Sequence, residues 1–337
     1  MTVHHQKMPS TRTEEGYLAK KRPCAVTMPT TAEEAASTDH RSTSDGVRIG
    51  TMESYKILHK IGEGAFGAVS KARHLRTGEV VAIKSSLDAG DQALLLREAT
   101  LLAACGGNPA VVGFREVVRG SESDDLHLVM EYVGQSLYDA IRARRRVGLP
   151  FTETETRRAM AQMLAGAGTM HANGVVHCDL KPGNVLVGKH DGQLKICDLG
   201  QAKSTAVPPL DANLEGTIGY IAPEVLLCED CGAPVDMWSL GCIMVELVLG
   251  KSLFPEDDDL CQQLIDIIHL LGVPDDVSLM PLGIAAAAPS KLRDMVPEER
   301  LSPAGFDVLR GLLQYNPKDR LTAAAALRMP WFAAKDD

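Results

Sequence analysis

The chain has 337 residues, of which 45% are hydrophobic and 23% are charged, as is typical of a globular protein with a sizeable core. Its formal net charge of −9 argues against nonspecific binding to nucleic acid, because that binding needs a basic surface. No apolar run reaches the length that spans a membrane, and the N-terminus lacks the apolar segment of a signal peptide. We therefore expect neither nucleic acid nor a membrane among the partners.

The eight cysteines do not follow the spacing of a disulfide framework, which favours a reducing compartment, the cytoplasm, the nucleus or both. Cys228 and Cys231 have the spacing of two metal ligands, but no second pair accompanies them. We interpret them as free thiols in a surface turn rather than a zinc site. The basic run Lys20–Pro23 would suit nuclear import, although so short a run is more often simply solvated.

Residues 1–53 are rich in Ser, Thr, Glu and Lys and poor in periodic apolar positions. They are predicted to be a disordered tail, because they could not bury enough apolar surface to offset the entropy cost of ordering. The sequence contains no internal repeat that would change this division. The folded domain is expected to begin at residue 54.

From Tyr55 onwards, short β-branched segments alternate with Gly-containing turns, which predicts an antiparallel sheet. Residues 91–104 then have the apolar spacing of a helix, and residues 125–133 are typical of a further strand. Long helical patterns predominate after residue 135, as in 153–171, 236–250 and 259–272. Strands at the front and helices behind predict an α+β arrangement in two lobes.

The segment GEGAFGAV places Gly62, Gly64 and Gly67 between two predicted strands. Glycines let the backbone approach a phosphate closely and direct N–H groups at it. A dinucleotide-binding fold would need a helix directly after these glycines, whereas a second strand follows here, so that alternative is not favoured. The segment alone is weak evidence for a nucleotide site.

Lys84 ends the next predicted strand, where its ammonium could hold phosphate oxygens. Because its neighbours 81–83 are apolar, the charge needs a partner. Glu98 on the following predicted helix is the natural candidate. A surface position would be the simpler interpretation of either residue if it stood alone.

The stretch HCDLKPGNVLV carries three polar residues suited to phosphate chemistry, Asp179, Lys181 and Asn184, and Asp198 follows in LKICDLG. A carboxylate and an amide that converge, Asp198 and Asn184, can hold Mg²⁺, which prefers oxygen ligands. A separate carboxylate, Asp179, can orient a hydroxyl nucleophile and accept its proton, and Lys181 can steady the phosphoryl group. Gly200 permits the unusual backbone of a metal-holding turn.

Taken in chain order, the glycine loop, strand lysine, helix glutamate, HxDxKxxN loop and DxG turn resemble the signature set of protein kinases. An Ala-Pro-Glu sequence ends at Glu224, and Asp236, Trp238 and Arg320 stand where kinases stabilise the helical lobe. In that family Glu224 and Arg320 would form a buried ion pair. The resemblance covers about residues 55–334, and chance agreement of so many ordered motifs is negligible.

This resemblance implies the bilobal protein kinase fold, with a kinase domain over 54–334. The N-lobe, 54–133, would be a small antiparallel β lobe with one main helix. The C-lobe, 134–334, would be large and mostly helical. The implied reaction is ATP-dependent, Mg²⁺-assisted transfer of the γ-phosphoryl group to Ser or Thr hydroxyls of protein substrates, since a Lys at position 181 matches the serine/threonine pattern.

The resemblance also implies a role for each site residue. Catalytic roles would fall to Asp179, Lys181, Lys84 and Glu98, and metal binding to Asn184 and Asp198. Residues 131–133 would be the hinge that hydrogen bonds adenine. The implied ATP-binding set is Ile61, Gly62, Glu63, Gly64, Ala65, Phe66, Gly67, Ala68, Val69, Ala82, Lys84, Met130, Glu131, Val133 and Leu186.

Residues 238–276 closely resemble the cyclin-dependent and mitogen-activated groups of kinases. The segment LREATLL is similar to the cyclin-dependent kinases, and the Thr-x-Tyr motif of the mitogen-activated group is absent between Gly200 and Gly219. The chain therefore resembles a divergent, plant-type, cyclin-dependent-like kinase.

The phosphorylation sites of that group have no acceptors here. Ala65 and Phe66 replace the inhibitory Thr-Tyr pair of the glycine loop. Ala212 stands where the activating threonine is expected, and the adjacent Asp211 would be a poor substitute for phosphate. We interpret these changes as a loss of phosphorylation control rather than of chemistry.

The basic residues that would receive the activating phosphate have changed as well. Arg97 remains, but Cys178 and Lys203 replace the other two arginines. The cyclin-binding helix signature is reduced to QALLLRE, so a cyclin or cyclin-like activator remains a candidate partner only. Ile221 replaces an arginine associated with proline-directed specificity, and Leu199 replaces the Phe of the metal turn, where we expect it to stay packed.

Two other functions stay open at this point. A pseudokinase scaffold would explain the missing control residues, but we favour an enzyme because every expected lysine, carboxylate and amide is present. Redox regulation through Cys178 and Cys197 is a third hypothesis. The plainer interpretation of these two cysteines is that they are small buried apolar residues.

Overall fold

The computed structural model describes residues 43–44, 47–64, 67–86, 92–120, 125–189, 192–204, 216–227, 232–255, 259–272 and 289–334. These all lie in one compact unit, residues 41–337. Several predicted features lie outside the described residues, so the predictions made for them stay predictions: most of the tail with Lys20–Pro23, Ala65, Phe66, Asp211, Ala212, Cys228 and Cys231.

The strands at the front of the chain form a seven-stranded sheet in the order β1-β2-β6-β7-β5-β4-β3. Apart from one parallel pair, β2 with β6, the neighbouring strands are antiparallel, as the β-branched segments predict. The strands are β1 (Thr43–Ser44), β2 (Val47–Thr51), β3 (Tyr55–Gly64), β4 (Gly67–His74), β5 (Val80–Ser85), β6 (Phe114–Arg119) and β7 (Leu126–Glu131).

Strand β2 lies inside the segment that we predicted to be a tail, so the sheet begins before residue 54. Ile49 pairs with Val117 of β6 in parallel register, and a short 3-10 helix, Met52–Ser54, leads on to β3. A Cβ at Gly50 would collide with the Glu116 side chain, so glycine permits this close approach. The composition of residues 1–53 did not predict β2. The strand is short and pairs through its backbone, so its side chains form little hydrophobic pattern.

The rest of the chain is mostly helical, which confirms the α+β, bilobal fold. Two short sheets lie among the helices: β8 (Gly134–Ser136) with β10 (Val185–Gly188) and β11 (Leu194–Ile196), and β9 (Val175–Val176) with β12 (Lys203–Ser204). The helices are α1 (Gln92–Ala104), α2 (Leu137–Arg146), α3 (Glu153–Ala172), α4 (Pro223–Leu226), α5 (Pro234–Leu249), α6 (Leu260–Leu271), α7 (Leu292–Met295), α8 (Pro303–Leu312), α9 (Ala323–Leu327) and α10 (Pro330–Ala333).

Helix α1 is the main helix of the β lobe, and its burial explains where the site glutamate lies. Leu95, Ala99, Leu101 and Leu102 are 4% exposed or less, which places one apolar face against the sheet. Glu98 lies on this same face and is also buried. Helix α5 is the central helix of the other lobe and is buried along almost its whole length. In the described part of the chain, no helix is both long and apolar enough to cross a membrane.

Helix α3 begins at a reciprocal capping box that also binds the preceding helix. The Thr152 hydroxyl accepts from the Glu155 backbone N–H, and the Glu155 carboxylate accepts from the Thr152 backbone N–H. The Arg144 guanidinium donates to both oxygens of Glu155, at 2.8 and 2.7 Å. These hydrogen bonds from Arg144 are the main reason why the pKa of Glu155 is lowered to about 2.

This pKa predicts a pH-dependent contribution to stability. Because the folded-state pKa of Glu155 is depressed, its stabilisation is present at neutral pH and is lost as the pH falls from about 5 to about 2. Glu155→Gln should therefore lower the free energy of unfolding at pH 7, with a deficit that shrinks towards acid pH. Urea denaturation at a series of pH values measures this. The exposed Glu299→Gln is the control, and a deficit independent of pH would contradict the prediction.

Candidate active site

A cleft of about 640 Å³ lies between the two lobes and collects nearly all the predicted site residues. Both predicted metal ligands and all four predicted catalytic residues line it. So does the predicted ATP-binding set, except Ala65 and Phe66, which are not described, and Ala68. Ala68 lies on β4 between Gly67 and Val69, and successive strand residues face opposite sides, so its side chain is directed away from the cleft.

A second cavity, of about 670 Å³, lies in the helical lobe and contains none of the predicted residues. Its walls include Lys251, Phe254, His269 and Lys291. It is slightly larger than the interlobe cleft and its lining also includes Asp266 and Asp294, but it has no amide side chain to complete the set that phosphate chemistry needs. The interlobe cleft is the candidate site because of its chemistry rather than its size.

The glycine hairpin covers the cleft from the sheet side. A Cβ at Gly67 would collide with the Ser85 carbonyl, and the backbone there has φ of 132°, so this position needs glycine to bring β4 close to β5. By contrast, no heavy atom of the described residues, chain neighbours aside, lies within 4 Å of a Cβ built at Gly64. The space beside Gly64 is therefore open to a ligand, as the predicted phosphate-binding role requires.

Lys84 on β5 joins the two lobes through two carboxylates. Its ammonium lies 2.7 Å from Glu98 Oε2 on α1 and 2.7 Å from Asp198 Oδ1. Burial alone would lower the pKa of Lys84, but the two carboxylates raise it above its ordinary value. Conversely, burial alone would raise the pKa of Asp198, but the Lys84 ammonium lowers it. The predicted Lys84–Glu98 pair is thus present, and Lys84 is a cation at the base of the cleft.

Asp179 is held by three donors around its carboxylate. Lys181 Nζ lies 2.9 Å from Oδ2, and Asn184 Nδ2 lies 3.0 Å from the same oxygen. The Thr217 hydroxyl donates to Oδ1 at 2.6 Å and accepts from Lys181 Nζ at 2.6 Å. Asp179 is 5% exposed, so the carboxylate is fixed in a largely dry position that faces the cleft. No role was assigned to Thr217 from the sequence, because one hydroxyl distant in the chain is not distinctive.

The loop that carries Asp179 is shaped by Asp236 of α5. The Asp236 carboxylate accepts from the backbone N–H groups of His177 and Cys178, each at 2.9 Å, and from His171 Nε2 at 2.7 Å. Cys178 has φ of 65°, a conformation that non-glycine residues seldom adopt. Because Asp236 is 1% exposed and holds both N–H groups, it stabilises this turn and directs the next side chain, Asp179, into the cleft.

The other predicted metal residue also lies on an unusual turn, where Asp198 has φ of 62°. The next residue, Leu199, is fully buried, which confirms that the apolar replacement of Phe stays packed. Cys197 N donates to Asn184 O at 2.9 Å, so the backbones that carry Asn184 and Asp198 lie side by side. Both side chains line the cleft.

The cysteines near the site give little support to redox regulation. Cys178 is 9% exposed, and burial raises the pKa of the Cys197 thiol, which disfavours the reactive thiolate. Their interpretation as small apolar residues is the better one. In the described ranges, Cys105, Cys178, Cys197, Cys242 and Cys261 are free thiols.

A side-chain amide on α6 holds the segment that follows Thr217. Gln263 Oε1 accepts from Gly219 N at 2.9 Å, and its Nε2 donates to Ile221 O at 2.8 Å. Gln263 is fully buried, and Ile221, which stands in place of an arginine, is 5% exposed. The sequence did not single out Gln263, because one Gln in an amphipathic helix is indistinguishable from a surface residue. Residues that line the cleft but were not singled out from the sequence are Val112, Gly134, Gln135, Ser136, Asp139, Gly183 and Gln201.

The donor set at Asn184 and Asp198 fits a magnesium ion. Mg²⁺ is usually bound by one or two protein oxygens together with substrate phosphates, rather than by a closed protein cage. One amide and one carboxylate facing an open cleft match that requirement. Consistently, the described residues contain no cluster of three or more His, Cys, Asp or Glu that would form a closed metal site.

Comparison with known proteins agrees with this geometry. The family model for the protein kinase domain matches residues 55–332. The chain is 46% identical to "Putative cyclin-dependent kinase F-2" of Oryza sativa subsp. japonica over 306 residues, 85% of this chain and 91% of the relative. It is 37% identical to cyclin-dependent kinase B2-1 of the same rice over 86% of this chain and 93% of the relative. It is 35% identical to cyclin-dependent kinase B2-2 of Arabidopsis thaliana, with 86% and 96% covered.

Proposed function

Because this chain belongs to the protein kinase family, in its cyclin-dependent-kinase-like group, and is a protein serine/threonine kinase, we propose that it is active without an activating phosphate of its own. Its substrates would be Ser and Thr hydroxyls of proteins, and its phosphoryl donor the γ-phosphate of ATP. The observation that carries this proposal is the set of hydrogen bonds around Asp179, in which a threonine and a lysine already hold the carboxylate at the cleft.

Each side chain has a definite part in this proposed reaction. ATP would lie with adenine between Ala82 and Leu186 and with its phosphates under the glycine hairpin. Lys84 would hold phosphate oxygens, while Glu98 keeps its ammonium in place. Asp179 would accept a hydrogen bond from the substrate hydroxyl and receive its proton as the phosphoryl group transfers.

Lys181 lies between Asp179 and Thr217, where its cation would stabilise negative charge on the phosphoryl group. Asn184 and Asp198 would hold the Mg²⁺ that this family generally uses. When bound, Mg²⁺ neutralises charge on the phosphate oxygens. Glu131 to Val133 would supply the hinge contacts, since all three line the cleft.

The surroundings of Arg97 support independence from phosphate. Its Nη2 donates to the Ala202 backbone carbonyl at 2.6 Å, so this guanidinium already holds that segment directly, while its buried Nε has no hydrogen-bond partner among the described residues. Cys178 provides no cation nearby, and Lys203 forms part of β12. A phosphate at this point would meet fewer basic partners than in kinases that depend on one.

The proposal is tested with purified protein, Mg²⁺ and ATP against a broad panel of Ser/Thr peptides. The protein is first treated with phosphatase, and its mass is measured to establish that it carries no phosphate. Turnover that survives this treatment supports the proposal. Normal ATP binding with no phosphorylated peptide would instead support a pseudokinase scaffold. Activity that appears only after a separate kinase acts on the chain would show that an activating phosphate is needed.

The assay is also run with and without cyclins, because the names of the relatives state dependence on a cyclin. A cyclin or cyclin-like protein is accordingly the candidate activator. Proline-directed specificity is tested on the same panel, because Ile221 is buried where an arginine would be expected. Location in the cytoplasm, the nucleus or both is part of this proposal.

Lys84→Met is expected to lower kcat/KM by about 10²–10³-fold, the usual effect of removing one charge-stabilising donor. The substitution also leaves Glu98 buried without its cation, so the free energy of unfolding should fall by about 3 kcal/mol. Steady-state kinetics and urea denaturation measure the two effects. The exposed Lys318→Met is the matched control, and unchanged kinetics in Lys84→Met would remove Lys84 from the proposed site.

A further inference from the structure

Gln201 connects two parts of the segment that follows the metal turn. Its Oε1 accepts from the backbone N–H of Gly216 at 2.6 Å. Residues 205–215 are not described. The hydrogen bond therefore joins residue 201, near the start of the segment, to residue 216, near its end. Gln201 is partly buried and lines the same cleft as Asp179 and Asp198.

Gly216, the residue that Gln201 holds, is packed tightly beside the loop that carries Asp179, which we call the catalytic loop. A Cβ at Gly216 would lie 3.0 Å from Ile221 Cγ1 and 3.3 Å from the Cys178 carbonyl oxygen. Gly216 has φ of 114°, which a larger residue seldom adopts. Glycine permits this position against the Cys178 backbone, and the hydrogen bond that the Gly216 N–H donates to Gln201 holds it there.

Gly216 immediately precedes Thr217, the residue that contacts the catalytic groups. The Thr217 hydroxyl bonds both Asp179 and Lys181 at 2.6 Å. Both contacts require the backbone of residues 216–217 to lie close to the catalytic loop. A displacement of Gly216 would carry the hydroxyl away from both groups.

The segment is also held at the residue that follows Gln201. Arg97 of α1 donates to the carbonyl of Ala202, and β12 pairs with β9, which directly precedes the catalytic loop. The backbone beside Gln201 is thus held by a fixed part of the fold. The Gln201 side chain can therefore hold Gly216 in a fixed place by its hydrogen bond.

We propose that Gln201 is a positioning residue whose amide oxygen holds Gly216, and through it Thr217, against Asp179 and Lys181. It would do by a neutral hydrogen bond what an activating phosphate does elsewhere: keep the end of this segment in register with the catalytic loop. This inference rests on the proposed function, because it assumes that the chain turns over ATP.

The test replaces Gln201 by Met, which keeps the length of the side chain and removes the acceptor. With phosphatase-treated protein at saturating ATP, kcat for a peptide substrate is expected to fall about three- to tenfold, the effect of one neutral hydrogen bond. The KM for ATP should stay unchanged, and so should the midpoint of thermal unfolding. Gln314→Met is the matched control, since its amide donates to the Arg310 carbonyl at the surface, away from the cleft.

A double-mutant cycle with Thr217→Ala separates positioning from a general structural effect. Once the hydroxyl is absent, Gln201→Met should lower kcat no further. Unchanged kcat in Gln201→Met, an equal loss in both backgrounds, or a lowered unfolding midpoint would each overturn the inference. Failure of the proposed function is distinguishable, because the unsubstituted phosphatase-treated protein would then show no turnover at all.

Discussion

Asp179→Asn is expected to lower kcat by about 10²–10⁴-fold, the usual range for the loss of a proton-accepting carboxylate. The amide has nearly the same size and can still accept from Thr217, but it can no longer receive a proton. The KM for ATP should stay almost unchanged, because Asp179 is proposed to contact the substrate hydroxyl rather than the nucleotide. Steady-state kinetics with varied ATP and varied peptide measures both quantities.

The control for this prediction is Asp294→Asn, the same chemical change at an exposed position of α7. It should leave kcat and the unfolding midpoint as they are in the unsubstituted protein. ATP binding by both variants, followed by calorimetry, establishes that the cleft remains intact. If Asp179→Asn kept most of its turnover, Asp179 would not be the proton acceptor, and the proposed mechanism would have to be abandoned.

Arg320→Leu is expected to lower the free energy of unfolding by about 3–5 kcal/mol, because it leaves a buried carboxylate without its cation. Arg320 Nη1 and Nη2 donate to the two oxygens of Glu224 at 2.6 and 2.9 Å, and the two side chains are 0% and 2% exposed. This confirms the predicted ion pair. The guanidinium also donates to the backbone carbonyls of Pro234, Gln314 and Tyr315, so it joins α4, α5 and the loop before α9.

Glu224→Gln should cost less, about 1–3 kcal/mol, because Arg320 then retains three backbone acceptors. Urea denaturation of both single variants and the double variant measures the coupling between the two side chains. Arg310→Leu is the matched control. Arg310 pairs with Asp307, and both side chains are more than half exposed. The free energy of unfolding should therefore change by no more than about 0.5 kcal/mol. A loss in Arg320→Leu no larger than in this control would contradict the buried-pair argument.

The outline of the fold followed from local patterns. Short β-branched segments predicted β3, β4, β5 and β7 to within a few residues, and the apolar spacing of α1, α3, α5 and α6 predicted their positions, whereas β6 was not predicted. Strand β2 was missed and assigned to the tail, because a short strand that pairs through its backbone has no distinctive side-chain pattern. Its parallel pairing with β6 could not be predicted either, since register depends on the partner strand.

Which residues would line the cleft was largely predictable from residue types in chain order. Glycines between two strands, Lys84, Glu98, Asp179 and Asp198 stand at spacings that few other folds share, so their roles follow by resemblance before any distance is known. The loss of phosphate acceptors is likewise visible in the sequence, where Ala212 has no hydroxyl. A hydroxyl or a cation is either present in a sequence or absent from it, and folding does not change that.

Only the tertiary structure decided which ordinary residues complete the site. Three of these residues, Thr217, Gln201 and Gln263, are separated in sequence from the groups that they hold. A single Thr or Gln is too common to indicate a role by itself. Their importance comes from hydrogen bonds of 2.6 to 2.9 Å that form when the segment folds back on the catalytic loop. The sequence by itself determined which chemical groups are available to the cleft. The packed fold decided which of them touch, because hydrogen bonds are short and directional and depend on distances in space rather than along the chain.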